Sequence, residues 1–425
     1  MKQRPRDARF RAGVAAVLAV VPRAAPSYAA YVFAPLLMFD FKRTPRMAWV
    51  RLFALLFAAT VSLLISATIA TVSYSAFVIE LILLAPLLVF VSGFGFASSG
   101  VEGACARALR LMNAIAAVLS LFNVALRGLP YVQRSPDVLG ALFGLGGSRI
   151  VTMIGFFGVV YELARRTELS ESYSLWFLVA LFNFFAPSYI LGIVCGIAAI
   201  AVWRIRSVAV FVILAIASAP SLWYALVYRL RDVNDLATSL TGQNPKAFAY
   251  ESVWRVFTHW PALLFFGTGP GQFSSTPQNW VDPGLRAISA QSVPPVPGLR
   301  LSTYHQVILT PYTDLGLQYP YALSSSVNKP YTGLATIVVE WGVVGCLILW
   351  LLFRRVRRLA RTNSAAWAPL IFFLALNGVD MWHDSPWLAL GLVCIGSMSD
   401  DSDQVVSANR PHAVRSRRNL QLSRV

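Results

Sequence analysis

The side chains of this sequence that can carry chemistry stand in a few short segments bordered by apolar runs. Residues 245–266, PKAFAYESVWRVFTHWPALLFF, space Glu251, Arg255 and His259 at i, i+4 and i+8, which groups them on one face of a helix. Phe248, Trp254, Phe257, Trp260 and Leu264 recur at helical spacing around them. This pattern predicts an amphipathic helix at a membrane surface. Its polar face is either a solvated Glu–Arg pair or a site in which Arg255 holds an anion. GTGPGQF, residues 267–273, follows directly. Glycines such as Gly269 and Gly271 permit positive φ and close backbone approach, so the segment can form an anion nest or simply a tight turn. It is no phosphate loop, because the Lys-Ser/Thr ending is missing.

Glu340 lies in VVEWGVVGCLILWLL, within an apolar run that begins near Tyr331. Helical rise puts it roughly 13 Å along that run, close to mid-membrane. A carboxylate at such depth is costly, so it is functional or locked into a structural pair. Thr332 and Thr336 share its face, and Gly342 and Gly345 allow close helix packing. Arg127, Arg134 and Arg149 bracket RGLPYVQRSPDVLGALFGLGGSR and, with Arg23, fall on the side otherwise poor in cations. They are ordinary loop arginines or, through the bidentate guanidinium fork, phosphate ligands. His305, after Tyr304, is a structural histidine or a general base. Asp380, His383 and Asp384 have metal-like spacing but lack a fourth ligand, and no outer D-x-D exists. Neither a metal nor a cofactor is expected.

The elements that must position these residues are membrane helices. The chain has 425 residues, of which 57% are hydrophobic and only 13% charged, about half the charge of a soluble domain. Apolar stretches occupy residues 13–21, 28–39, 47–73, 76–97, 108–126, 150–162, 173–185, 188–203, 207–228, 331–353, 367–379 and 387–398. They read as about twelve spans, the shorter ones tilted or extended by flanking polar residues. The formal charge of +17 follows the positive-inside rule rather than a nucleic-acid surface. The basic clusters are Lys2–Arg11, Lys42–Arg51, Arg107/Arg110, Arg165/Arg166, Arg204/Arg206, Arg354–Arg361 and the tail. With twelve spans all of them fall on one side, with both termini cytoplasmic. The first stretch also fits a signal peptide, a basic start followed by GVAAVLAVV. Cys105, Cys195, Cys346 and Cys394 show no C-x-x-C spacing, so neither a zinc site nor a disulfide framework is implied.

The expected class is therefore an all-α integral membrane protein with one large outer loop carrying short helices. Residues 1–228 form an N-terminal bundle, 229–330 the loop, 331–398 the last spans, and 399–425 a basic cytoplasmic tail. A loop of about a hundred residues without structure is improbable, so it should fold against the membrane and carry function.

On three features the chain resembles the bacterial O-antigen polymerase and O-antigen ligase superfamily. These are the span count with a large loop before the third-last helix, the run SVWRVFTHWPALLFFGTGPGQF, and the Glu-then-glycine helix VVEWGVVG. The run SSVNKPYTGLATIVVE departs from the family's His-Asn pair, since Asn328 has no His before it, and Ser188 in PSY has no Arg beside it. The resemblance implies a metal-independent glycosyltransferase on the periplasmic face of the bacterial inner membrane. Its donor is a polyprenyl diphosphate-linked oligosaccharide, and its setting includes membrane lipid, a chain-length regulator and a flippase. Arg255, Arg127, Arg134 and Arg149 would then bind diphosphate or sugar, with His259, Gly269 and Gly271 beside them. Glu340 would anchor the catalytic centre, and His305 or Glu251 would act as base. Polymerase is the first reading and ligase the second. A flippase or transporter is disfavoured, because the sequence shows neither an inverted repeat nor a pair of interrupted helices.

Overall fold

The computed structural model describes residues 36, 39–42, 44–95, 245–283, 296–318, 330–362 and 367–379. Every element among them is a helix. The predicted spans at 13–21, 108–126, 150–162, 173–185, 188–203, 207–228 and 387–398, and nearly all of 28–39, lie outside the described residues.

Among the described residues, two helices are long and apolar enough to cross a bilayer. Helix α1, Arg46–Ile69, has 24 residues, and α2, Tyr74–Ser92, has 19. By helical rise they are about 36 and 28 Å long. Both are shorter than their predicted stretches, for local reasons. The chain turns extended at Ala70, and the Ser73 hydroxyl accepts from the Ala76 N–H to start α2. Gly93, at φ 96°, ends α2 in the left-handed conformation that glycine adopts without a Cβ clash. Along α1 a stripe of Ala48, Leu55, Ala59, Ser62, Leu63 and Ser66 is buried. Met47, Val50, Phe53, Phe57 and Leu64 face outward. A long helix with large apolar side chains on its open face suits a lipid environment.

The predicted amphipathic run 245–266 is two helices, α3 (Pro245–His259) and α4 (Leu263–Phe266), broken at Trp260-Pro261. Its buried face takes only part of the apolar set. Phe248, Ala249, Ser252 and Val256 are buried, whereas Trp254 is 72% exposed. Small side chains at 249 and 252 admit a neighbouring helix closely, and the bulky Trp254 is left outside. Three short helices follow: α5 (Thr276–Val281), α6 (Thr303–Ile308) and α7 (Thr310–Gln318).

The predicted span 331–353 is also interrupted. Helix α8, Gly333–Trp341, ends at Gly342, whose φ is 55°, and α9 runs Val343–Thr362. Helix α10 spans Trp367–Val379, the range expected from sequence, and packs on α8 where Gly333 meets Asn377.

The bundle has two distinct ends. At one, Arg51 of α1 donates to the Ser92 carbonyl and Arg355 of α9 donates to the Phe94 carbonyl, both just at the end of α2. At the other, loop residues join the turn between α1 and α2. Thr303 N–H donates to the Thr71 carbonyl, the Arg300 guanidinium to the Val72 carbonyl, and the Ser75 hydroxyl to the Pro297 carbonyl. The loop segments thus gather at the end of α1 and α2 opposite the arginines of α9.

Candidate functional site

The glycine segment enters the bundle rather than lying on it. Ser62 and Ser66 of α1 both donate to the Gly267 carbonyl. Ser62 lies seven residues before the end of α1 at Ile69, so the loop dips about 10 Å below that helix end. Irregular backbone at such depth is tolerated only when its polar groups are satisfied by protein. Here they are. Thr268 and Gly269 N–H groups donate to the Val339 and Glu340 carbonyls, each at 2.9 Å. Gln272 exchanges hydrogen bonds with the backbone of Ser73, 2.7 Å to its side-chain oxygen and 2.9 Å from its amide nitrogen. Gln278 donates to the Gly271 carbonyl and accepts from Ser302 N–H.

The segment does form an anion nest, and its anion comes from the chain itself. The Glu340 carboxylate is fully buried, with Oε2 accepting from Gly271 N–H and Oε1 from Phe273 N–H, both at 2.8 Å. Three sequence-predicted residues, Gly269, Gly271 and Glu340, therefore meet, and they meet one another. The helix break at Gly342 belongs to the same device. It frees the end of α8 to receive Gly267, and the two glycine backbones touch where a Cβ on either would overlap. The positive φ at Gly267, Gly269 and Gly271 bars ordinary side chains from this path.

Gly267→Ala and Gly271→Ala are accordingly expected to undock the loop. A Cβ at 267 would overlap the Glu340 carbonyl, and one at 271 the Ala76 carbonyl. The left-handed backbone alone costs Ala about 1–2 kcal/mol, before any clash. Gly95→Ala, where a Cβ meets open space, serves as control. Thermal unfolding of detergent-extracted protein should show both loop variants well below wild type and Gly95→Ala level with it.

His305 is also buried and doubly engaged. Its Nε2 lies 2.7 Å from Asp282 Oδ2, and its Nδ1 meets the Phe273 carbonyl. Each ring nitrogen is thus held inside the fold, one by a carboxylate oxygen and one by a backbone carbonyl. Thr313 donates to the same Asp282 oxygen at 3.0 Å. Ser302 caps α6, its hydroxyl taking the His305 N–H, and so sets the ring's position. Phe273 links the two clusters, its N–H on Glu340 and its carbonyl on His305.

Arg255 and Glu251 stay at the surface, 41% and 43% exposed, with Nη2 of Arg255 2.8 Å from Glu251 Oε1. The guanidinium also lies over the Phe248 ring, 5.1 Å from its centroid. His259 Nδ1 meets the Arg255 carbonyl at 2.8 Å. Exposed Trp254, Leu264, Phe265 and Phe266 lie on the same two helices. Arg127, Arg134, Arg149, Asp380, His383 and Asp384 lie outside the described residues.

Two buried acids stand out here that the sequence reading passed over. Asp282, in WVDPG, carries no periodic signal. Glu80, fully buried in α2, stands alone in FVIELILLAPLLVF, which is the signal that singled out Glu340. Compared with known proteins, the chain matches no family model, no curated protein and no solved structure.

Proposed function

We propose that this chain is a multi-pass glycosyltransferase of the bacterial inner membrane, with about twelve spans and both termini cytoplasmic. On this reading it joins polyprenyl diphosphate-linked oligosaccharide units into O-antigen, capsular or exopolysaccharide chains on the periplasmic face. One observation carries the reading furthest. The loop after the ninth predicted span folds into the end of the apolar helices and presents Arg255 and Glu251 beside exposed Trp254, Leu264 and Phe265. A polyprenyl diphosphate asks for that pairing, cation for its headgroup and apolar surface for its chain.

In the proposed step an acceptor hydroxyl oxygen attacks the anomeric carbon of the donor. The bond from that carbon to the diphosphate oxygen breaks, and the diphosphate leaves with the electron pair. Arg255 stabilises the charge that develops there, aided by Arg127, Arg134 and Arg149. Of the three residues cast as catalytic, Glu251 is the one on an exposed face, and it takes the acceptor proton. Glu340 and His305 hold the loop that carries the site. His259 contacts the sugar, and a flippase and chain-length regulator act before and after.

The test is polymer length on a gel from cells carrying Arg255 variants at matched membrane abundance. Arg255→Lys is expected to lose polymer nearly as fully as Arg255→Ala, leaving single repeat units, because a point charge cannot replace a bidentate fork. If Arg255 serves only Glu251, the exposed pair is worth about 0.3–0.5 kcal/mol and both variants are silent. Unattached full-length polymer would indicate a ligase, and units stranded in the cytoplasmic leaflet a flippase.

A further inference from the structure

The contacts of Arg255 do more than balance its charge. Side chains on a helix lean toward its N-terminus, so Arg255 lies over the residues four and seven positions back on α3. Four back is Glu251, whose Oε1 accepts from Nε at 3.1 Å and from Nη2 at 2.8 Å. Seven back is Phe248, and the guanidinium carbon stands 5.1 Å from the centroid of its ring. The carboxylate therefore holds one edge of the planar group, and the ring supports one face. The rest of the group is open, since the side chain is 41% exposed.

The two contacts restrain different motions. A carboxylate at one edge fixes where that edge points, but the plane can still turn about the line that joins them. A ring against the face removes that rotation. An exposed arginine held only by an ion pair keeps rotamer freedom that an incoming anion must take away. A fork already oriented gives up less on binding. Phe248 can act as a support because it is itself held. It is buried, and Tyr312 of α7, also buried, packs with its ring centroid 4.9 Å away. Thr313, the next residue of α7, donates to Asp282, so the support runs back to the buried pair with His305.

We propose that Phe248 is a positioning residue for Arg255. Its ring fixes the plane of the guanidinium, so that the fork of Nη1 and Nη2 meets the diphosphate oxygens already oriented. The role rests on the reading of Arg255 as a diphosphate ligand, and it concerns binding rather than bond making. Helical spacing places Phe248 in the apolar stripe of α3, and its burial agrees. The contact with the guanidinium gives the same ring a second task.

The test titrates the full chain, purified in a neutral detergent, with farnesyl diphosphate as the probe. Wild type is expected to bind it, and Arg255→Gln to lose it. Phe248→Leu keeps an apolar side chain but has no aromatic face. It should bind about two- to fivefold more weakly, the worth of a cation–ring contact at a partly exposed position. Phe248→Tyr keeps the face and should bind as wild type does. Val256→Ala loosens α3 at another buried position, so it should lower the thermal midpoint without weakening binding. Unchanged affinity in Phe248→Leu would overturn the proposal. So would an equal loss in Phe248→Tyr at a wild-type midpoint. A loss in Val256→Ala as large as that in Phe248→Leu would overturn it too, since the ring would then act only by holding the helix. The underlying reading fails differently. If wild type does not bind the probe, or if Arg255→Gln binds it undiminished, Arg255 is no diphosphate ligand and the positioning role falls with it.

Discussion

Glu340→Gln is expected to lower the thermal midpoint of the extracted protein sharply and to reduce its abundance in the membrane. The carboxylate places one oxygen on Gly271 N–H and the other on Phe273 N–H, at 2.8 Å each, in a site with no exposure. An amide keeps only one acceptor. Its NH2 group must face a second N–H, so one buried donor loses its partner and meets a donor instead. Each orphaned buried group costs about 1–3 kcal/mol, and more where the lost bond was charge-assisted. Glu340→Ala orphans both donors and is expected to cost roughly 2–6 kcal/mol, which approaches the whole stability of an average domain. Glu340→Asp is expected to fail as well, because with one methylene less the carboxylate cannot reach the two donors. Two readouts separate the roles open to this residue. If Glu340→Gln folds and inserts normally but yields no polymer, the carboxylate belongs to the chemistry and the anchoring account is wrong.

The second large effect concerns His305 and Asp282. Removing His305 takes the imidazole from a buried Asp282 carboxylate that keeps the Thr313 hydroxyl, and removing Asp282 leaves the buried imidazole with the Phe273 carbonyl. His305→Ala and Asp282→Ala are therefore each expected to destabilise the protein by about 3–5 kcal/mol, the usual cost of breaking one side of a buried pair. The double variant should cost much less than the two together, because no lone charge remains. A cycle over thermal midpoints measures that coupling. Additive losses would mean that the two side chains do not act as a pair. His305 has a rival role as general base, and it makes a different prediction: His305→Ala would leave the midpoint in place and remove polymer. The geometry favours the structural outcome, since both ring nitrogens are engaged inside the fold and none is left for an acceptor hydroxyl.

The two predictions meet at Phe273, whose N–H is held by Glu340 and whose carbonyl is held by His305. The loop is thus pinned on both sides of one residue. Losing either pin should also loosen α3, which packs against α6 and α8, and with it the placement of Arg255. Loss of polymer in a Glu340 or His305 variant is therefore informative only beside a measurement of folding.

Local pattern made part of this protein legible. Long apolar runs with very few charges suit helices in lipid, since in a helix each backbone N–H finds its carbonyl within the segment. For that reason 46–69, 74–92 and 367–379 were readable to within a few residues. The i, i+4 spacing of Glu251 and Arg255 was enough to predict their pairing, and GTGPGQF was enough to predict positive φ. Everything that joins distant segments was decided by the tertiary structure. The sequence marks a nest able to hold an anion but not its occupant, because Glu340 lies 69 residues beyond Gly271 and reaches it only through packing. Asp282 and His305 are 23 residues apart with no shared periodicity, so no spacing rule links them. VVEWGVVG reads equally well as a continuous helix, and only the approach of Gly267 makes a break at Gly342 favourable. The buried face of α3 was likewise a matter of fit. The spacing sets out an apolar face that includes Trp254, but packing buries Phe248, Ala249, Ser252 and Val256 and leaves Trp254 exposed.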